Sequence, residues 1–200
     1  MPWQVRVEEW SGLFNIATMK TISDHILDIL QNSVRAGATL IEIIVLEEKN
    51  QDLCTVRIKD DGHGMTREEI QQAIQPFFTT RTTRKVGLGL PLFKQNAEMS
   101  GGSLTIESEP GKGTSVTAVF GYSHVDRPPM GDITGVLVLT IIGHEGVRFR
   151  YSHKTDEGEF EIDTDTLHEI FEDVPLRHPD VREAISGLIR NNLSAIGASA

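Results

Sequence analysis

Asp28, Asn32 and Arg35 stand at i, i+4 and i+7 in a segment whose apolar spacing predicts a helix. In helical geometry that spacing puts all three on one face, where they can line a cleft. The Asn32 carboxamide oxygen is a hard, neutral donor suited to Mg²⁺, an ion that keeps several waters and takes its other ligands from substrate phosphates. Asp28, one turn earlier, can orient or deprotonate a water or hydroxyl near a terminal phosphate, and Arg35 can neutralise phosphate charge. Read without context, the same residues describe a solvated helix face. His25, three residues before Asp28, reads as a surface residue and is assigned no role.

Asp60 follows a strand-like run and precedes Gly62 and Gly64. The missing side chains permit tight turns and close approach of backbone to a flat ligand, and a carboxylate there can accept the exocyclic amine of adenine. Gly87-Leu88-Gly89-Leu90 opens a second helix whose free N–H groups and dipole can hold phosphate, with Arg81, Arg84 and Lys85 just before it. Gly111-Lys112-Gly113-Thr114 has the composition of a hairpin turn, and its functional part reduces to the Thr114 hydroxyl near the adenine. Each segment alone marks an ordinary turn or strand end. Their order between Asp24 and Phe120 is what describes a nucleotide pocket.

The elements that must position these residues follow from periodicity. Ser23 can cap a helix reaching about Ala36, with Ile22, Ile26, Ile29, Leu30 and Val34 as its apolar stripe and Gly37 as its stop. Strand-like runs Thr39 to Leu46 and Leu53 to Lys59 suit an antiparallel pair, and Thr66-x-x-Glu69 is a capping box for a short helix. Pro76 to Val86, rich in Thr, Arg and Lys, has no apolar period and reads as a mobile lid. A helix from about Leu88 to Met99 ends at Gly101-Gly102, and the strands Ser103 to Ser108 and Thr114 to Phe120 follow. Strands and helices in this order predict an α+β chain, a two-layer α/β sandwich with helices on one face of a mixed sheet.

Asp126 to Asp132, with Pro128-Pro129 and Gly131, has the composition of a linker. The reading divides the chain into an arm at residues 1–20, an ATP-binding domain at 21–121, a linker at 122–132 and a small acidic α+β region at 133–200. In that last region Gly135 to Ile142 and Gly146 to Ser152 read as strands, followed by two helices. No apolar segment reaches bilayer length and no signal peptide opens the chain, so a soluble, cytoplasmic protein is expected. The single Cys54, in line with Val56 and Ile58, is expected to be a buried structural thiol. The formal charge of −10 is uneven: residues 121–200 carry 7 Lys+Arg against 14 Asp+Glu, while residues 1–120 carry 12 against 15. Nucleic-acid binding by the tail is disfavoured, leaving a solvated surface or a basic protein partner.

Taken together, these residues resemble the superfamily of ATPases that includes gyrase, the heat-shock chaperone ATPase, sensor histidine kinases and mismatch-repair ATPases. The resemblance covers roughly residues 20 to 120 and implies the Bergerat-type ATP-binding fold. Pro76-Phe77-Phe78-Thr79-Thr80, the Gly87 to Leu90 box and Gly102 to Val116 look like the catalytic domain of a histidine kinase. By that resemblance Asn32 binds Mg²⁺, Asp60 the adenine amine, Gly62, Gly64, Gly87 and Gly89 the nucleotide, and Arg35 and Lys85 the phosphates. Asp28 stands where gyrase-like and mismatch-repair members carry a catalytic Glu and many histidine kinases an Asn. Asn32 to Thr39 looks more like the mismatch-repair version. The helical hairpin that carries a sensor kinase's phosphoacceptor has no counterpart ahead of residue 20, and His168-Glu169-Ile170 resembles an acceptor box only faintly.

The leading expectation is therefore a stand-alone, histidine-kinase-like protein that binds Mg·ATP and transfers the γ-phosphate to a residue on a separate protein. Two others stand beside it. One is a regulatory module in which ATP closes the lid without turnover. The other is a slow, dimerising ATPase, motivated by Asp28 and by the alternation Trp3-x-Val5-x-Val7, which suits an edge strand pairing across a homodimer.

Overall fold

The computed structural model describes residues 19–75, 89–172 and 174–199. The arm bearing Trp3, the lid from Pro76 to Val86, and Lys85, Gly87 and Leu88 lie outside them. The first helix, α1 (Ile22–Arg35), is capped by Thr21, whose side chain accepts from Asp24 N while Asp24 answers at the Thr21 N–H, closing a capping box. Ser23, expected as the cap, lies one residue inside the helix, and its Oγ donates to the Met130 carbonyl at 2.6 Å. The helix stops at Gly37, which takes a left-handed φ of 75° and lets the Gly37 and Ala38 N–H groups reach the Val34 and Ser33 carbonyls.

Two antiparallel strands follow, β1 (Leu40–Glu48) and β2 (Leu53–Asp60), joined by a 3₁₀ turn over Lys49–Gln51. Helix α2 (Arg67–Ala73) carries the expected Thr66–Glu69 capping box. Helix α3 (Gly89–Met99) leads into the hairpin of β3 (Ser103–Glu109) and β4 (Gly113–Gly121). Then come α4 (Ile133–Gly143), β5 (Arg148–Thr155), β6 (Glu159–Asp163), α5 (Thr164–Phe171) and α6 (Pro179–Ala195).

Gly135 to Ile142, expected as a strand, is the body of α4. Its run of Val, Leu and Ile carries no helical period because the helix packs between α1 and α6 and is buried along most of its circumference. Periodicity cannot tell a buried helix from a buried strand, and the Asp132 carboxylate, which accepts from Gly135 N at 2.8 Å, is the local signal that decides it.

Among the described residues the sheet has six strands in the order β3-β4-β2-β1-β5-β6, mixed because β5 runs parallel to β1. One face is packed under the helices through Ile41, Ile43, Val45, Val56, Ile58, Val116, Phe120 and Phe149. The other presents Glu42, Arg57, Lys59, Thr117 and Arg150, with Lys59 and Arg150 flanking Glu42 across the ladder. This is the two-layer sandwich expected, with alternation marking the solvated face. Cys54 lies in the packed layer, where burial pushes its thiol up to about 12. No helix among the described residues is long and apolar enough to cross a membrane.

The segment after residue 121 bears directly on α1. The Ile22 and Ser23 N–H groups donate to the Pro129 and Met130 carbonyls at 2.9 and 2.8 Å, which satisfies first-turn donors that a helix cannot pair internally. Removing residues 124–200 would strip those acceptors and leave β1 as an open edge. The truncated chain is expected to lose cooperative thermal unfolding, and a melting temperature within about 5 °C of the full chain's would contradict this.

At the far end of β1, Glu47, His153 and Tyr151 form a buried chain. Glu47 Oε1 and His153 Nε2 are 2.8 Å apart, His153 Nδ1 and the Tyr151 hydroxyl 2.6 Å, and Ser199 N donates to Glu47 Oε1 at 3.0 Å. Burial alone would raise the Glu47 pKa, but the bonds from His153 and Ser199 hold it below the ordinary value. A carboxyl depressed in the folded state contributes stability above its unfolded pKa, and that contribution is lost as pH falls through the folded value. Glu47→Gln should therefore melt lower than the parent at neutral pH and lose less on acidification to about pH 3.5, read by thermal scans at both pH values.

Candidate functional site

The polar face of α1 carries its own hydrogen-bonded series. Asn32 Nδ2 donates to Asp28 Oδ2 at 3.2 Å, Arg35 Nη1 to Asn32 Oδ1 at 3.0 Å, and Arg35 Nη2 to Gln31 Oε1 at 3.3 Å. The i, i+4, i+7 spacing thus brings Asp28, Asn32 and Arg35 together, with Asp28 and Asn32 half-buried and Arg35 exposed. The first residue of α3 meets the Asp28 end of this series. A Cβ at Gly89 would strike the Asp28 carboxylate, so the helix start meets that acid with no side chain between. Leu90 packs half-buried against the core beside it.

Asp60 ends β2 at the other side of α1 and is 7% exposed. Ser33 Oγ donates to its Oδ2 at 2.6 Å, and the Gly62 and Thr114 N–H groups reach Oδ1 at 3.0 and 3.3 Å. One carboxylate so joins α1, the end of β2 and the start of β4 through three hydrogen bonds. Thr114 Oγ1 lies 2.9 Å from Ser108 Oγ, which donates to the Gly113 carbonyl and accepts from Met65 N at 2.8 Å each.

Gly62 is packed so that a Cβ would sit 2.9 Å from Ala36 Cβ, and Gly64 takes φ 68° with the Glu109 carbonyl where a Cβ would be. Both glycines therefore serve protein contacts as well as any ligand approach. Asp61, next to Asp60, accepts from the Thr39 and Leu40 N–H groups at 2.7 and 2.8 Å and from Thr39 Oγ1 at 2.6 Å. Burial would raise its pKa, but these donors hold it below the ordinary value, and the acid ties the loop to the start of β1.

His25 is not a surface residue: it is 1% exposed. Its ring stacks on Phe93 with centroids 4.7 Å apart, and Nε2 lies 2.9 Å from Asn96 Nδ2. Burial pushes the ring pKa down to about 4, against the pull of Asp24, Asp28 and the Gly89 backbone, so it is neutral at physiological pH. Sequence reasoning also passed over Ser33 and Ser108. Ser33 had a usable signal, since Ile26, Leu30 and Ser33 follow one another at i, i+4 and i+7. A hydroxyl in a core-facing stripe needs a buried partner.

Asn32 and Asp28 offer oxygen donors of the kind Mg²⁺ takes, and no group of three His, Cys, Asp or Glu side chains among the described residues could hold a metal. That donor set fits an ion completed by phosphate oxygens and water.

Residues 20–123 match the family model of histidine kinase-, DNA gyrase B-, and HSP90-like ATPases. The chain belongs to this family, and the matched residues form its ATP-binding domain. Among curated relatives, the cell-division control histidine kinase PdhS of Brucella ovis is 33% identical over 120 residues, covering 52% of this chain and 12% of the kinase. PdhS of Brucella suis is 35% identical over 120 residues. The chain thus spans about an eighth of these kinases' length. Among solved structures, the N-terminal domain of a DNA repair protein superposes with a TM-score of 0.55 at 14% identity, over 86% of this chain and 62% of that one. That likeness in fold extends beyond the family match into the strands and helices after residue 123.

Ser33→Ala removes the hydroxyl bonded to Asp60 and should cost about 1–3 kcal/mol in stability. Denaturant melts would register it, and a change below about 0.5 kcal/mol would mean that Asp60 finds another donor.

Proposed function

We propose that the chain binds Mg·ATP between α1, the loop after β2 and the start of α3, and passes the γ-phosphate to a residue on a separate partner protein. The observation that supports this reading is that a single helix, α1, meets both Asp60 and the start of α3. Ser33 of α1 bonds Asp60, and Asp28 of the same helix, bonded to Asn32, meets the start of α3.

In this reading Asp60 and the Thr114 hydroxyl recognise adenine, with Gly62 and Gly64 shaping the loop around the base. Asn32 Oδ1 holds Mg²⁺, whose charge neutralises the polyphosphate, and Arg35 adds a second positive group. Gly89 and Leu90 present the N–H end of α3 to phosphate. Lys85, Gly87 and Leu88, outside the described residues, complete the phosphate side. The kinase relatives support transfer to a protein; action in the cytoplasm belongs to the same proposal.

A slow ATPase, acting as a homodimer, is the second reading, and Asp28 favours it. A carboxylate against the start of α3 is suited to take a proton from an attacking water, which an amide there would not do. Asp28→Asn should then abolish phosphate release while ATP affinity changes less than about threefold.

Incubation with γ-labelled ATP and Mg²⁺, alone and with lysate, separates the readings beside Asn32→Ala and Asp60→Ala controls. Label on a protein, lost in both variants, is the outcome expected of a kinase. Free phosphate alone would replace that reading with the ATPase, and tight ATP binding with neither product would leave an ATP-dependent regulatory module.

A further inference from the structure

His25 touches α3 at three places that repeat along one face. Its ring lies beside the Gly89 backbone, covers Phe93 with an interplanar angle of 19°, and meets Asn96 through Nε2 at 2.9 Å. Positions 89, 93 and 96 are i, i+4 and i+7 on α3, so one imidazole on α1 spans two turns of the neighbouring helix. Phe93 is itself fixed from behind by Phe120 of β4, with ring centroids 5.7 Å apart. The stack thus ties α3 to the sheet as well as to α1.

One turn further along α1, Asp28 meets the first residue of the same helix. The Gly89 backbone sits where any side chain would collide with the carboxylate, so the two cannot approach more closely and a shift of α3 would open the contact. A buried polar ring in this place costs more than Leu or Phe unless it does something that apolar packing does not. What it adds is direction. The bond to Asn96 fixes the rotation and axial position of α3, which an aromatic contact alone leaves free to slide.

We propose that His25 is a positioning residue for the nucleotide site, its contacts with Phe93 and Asn96 setting the start of α3 against Asp28 and thereby the place where that carboxylate meets the phosphate end of ATP. The inference rests on the nucleotide reading above for its consequence in turnover, but not for the contact of His25 with α3.

The test uses the full chain and four variants. His25→Phe keeps the ring on Phe93 and loses Nε2, Asn96→Leu removes the other partner, the double variant closes a cycle, and His25→Gln returns a terminal amide toward the Nε2 position. Amide exchange without nucleotide should be about tenfold faster over Leu90–Phe93 in His25→Phe, with the sheet unchanged. It should be no faster in the double variant and largely restored in His25→Gln. With Mg·ATP, kcat for whichever product forms should fall about tenfold in His25→Phe while KM stays within about threefold.

Exchange in His25→Phe that equals the parent's, a double variant whose effects add in full, or a His25→Gln variant no better than His25→Phe would each overturn the proposal. So would an unchanged kcat beside faster exchange. A parent protein that binds no ATP would overturn the nucleotide reading instead, and the exchange data would still decide whether His25 and Asn96 act as one.

Discussion

The buried Asp60 carboxylate is the constraint around which the site is arranged. Moving an ionised carboxylate out of water costs several kcal/mol unless donors replace the lost hydration. Here they come from three separate elements: a hydroxyl on α1, the N–H of Gly62 in the loop after β2, and the N–H of Thr114 at the start of β4. None of the three can move without leaving a buried carboxylate oxygen short of a donor, so the acid fixes the separation of helix, loop and hairpin. The geometry of the floor of the site is set by one group's need for partners.

The other half of the site depends on how α1 is held at its beginning. Its first donors are met by Thr21 and by the Pro129 and Met130 carbonyls, and its apolar stripe lies against the sheet. Gly131 matters here because a Cβ there would fall 2.5 Å from the Thr21 side chain, so the cap and the returning chain pack with no space between them. Residues beyond the family match therefore act on the polar face of α1 through its N-terminus. The parallel pairing of β5 with β1 widens the sheet on the same side and places α4 directly against α1.

Much of this was legible in the residues. The α1 stripe, the antiparallel β1–β2 pair, the Thr66–Glu69 box and the hairpin of β3 and β4 each carry a local signal in which period and turn chemistry agree, and such segments read correctly. Helix α4 misled for the opposite reason: an apolar run buried on most sides has no period, and its only local marker is the Asp132 cap. Polar residues in core-facing positions were the other gap. Ser33 and His25 look unremarkable beside Asp28 and Asn32, because a sequence shows which face a residue is on but not which partner waits across the interface.

The glycines show the same limit from the other side. Their spacing invites a reading in terms of ligand approach, yet Gly62, Gly64, Gly89 and Gly113 all stand where a Cβ would meet protein: Ala36, the Glu109 carbonyl, the Asp28 carboxylate and the Asp60 carbonyl. Three of the four press on Asp28, on Asp60 or on the end of the helix that carries Asp28. Absence of a side chain there serves closeness, and at Gly62 it brings a backbone N–H to the Asp60 carboxylate. A site built this way has little room to relax. That explains why a sequence can announce it through small residues and acids in a fixed order, while the serine bonded to Asp60 and the histidine buried against α3 stay inconspicuous until the helices are seen against each other.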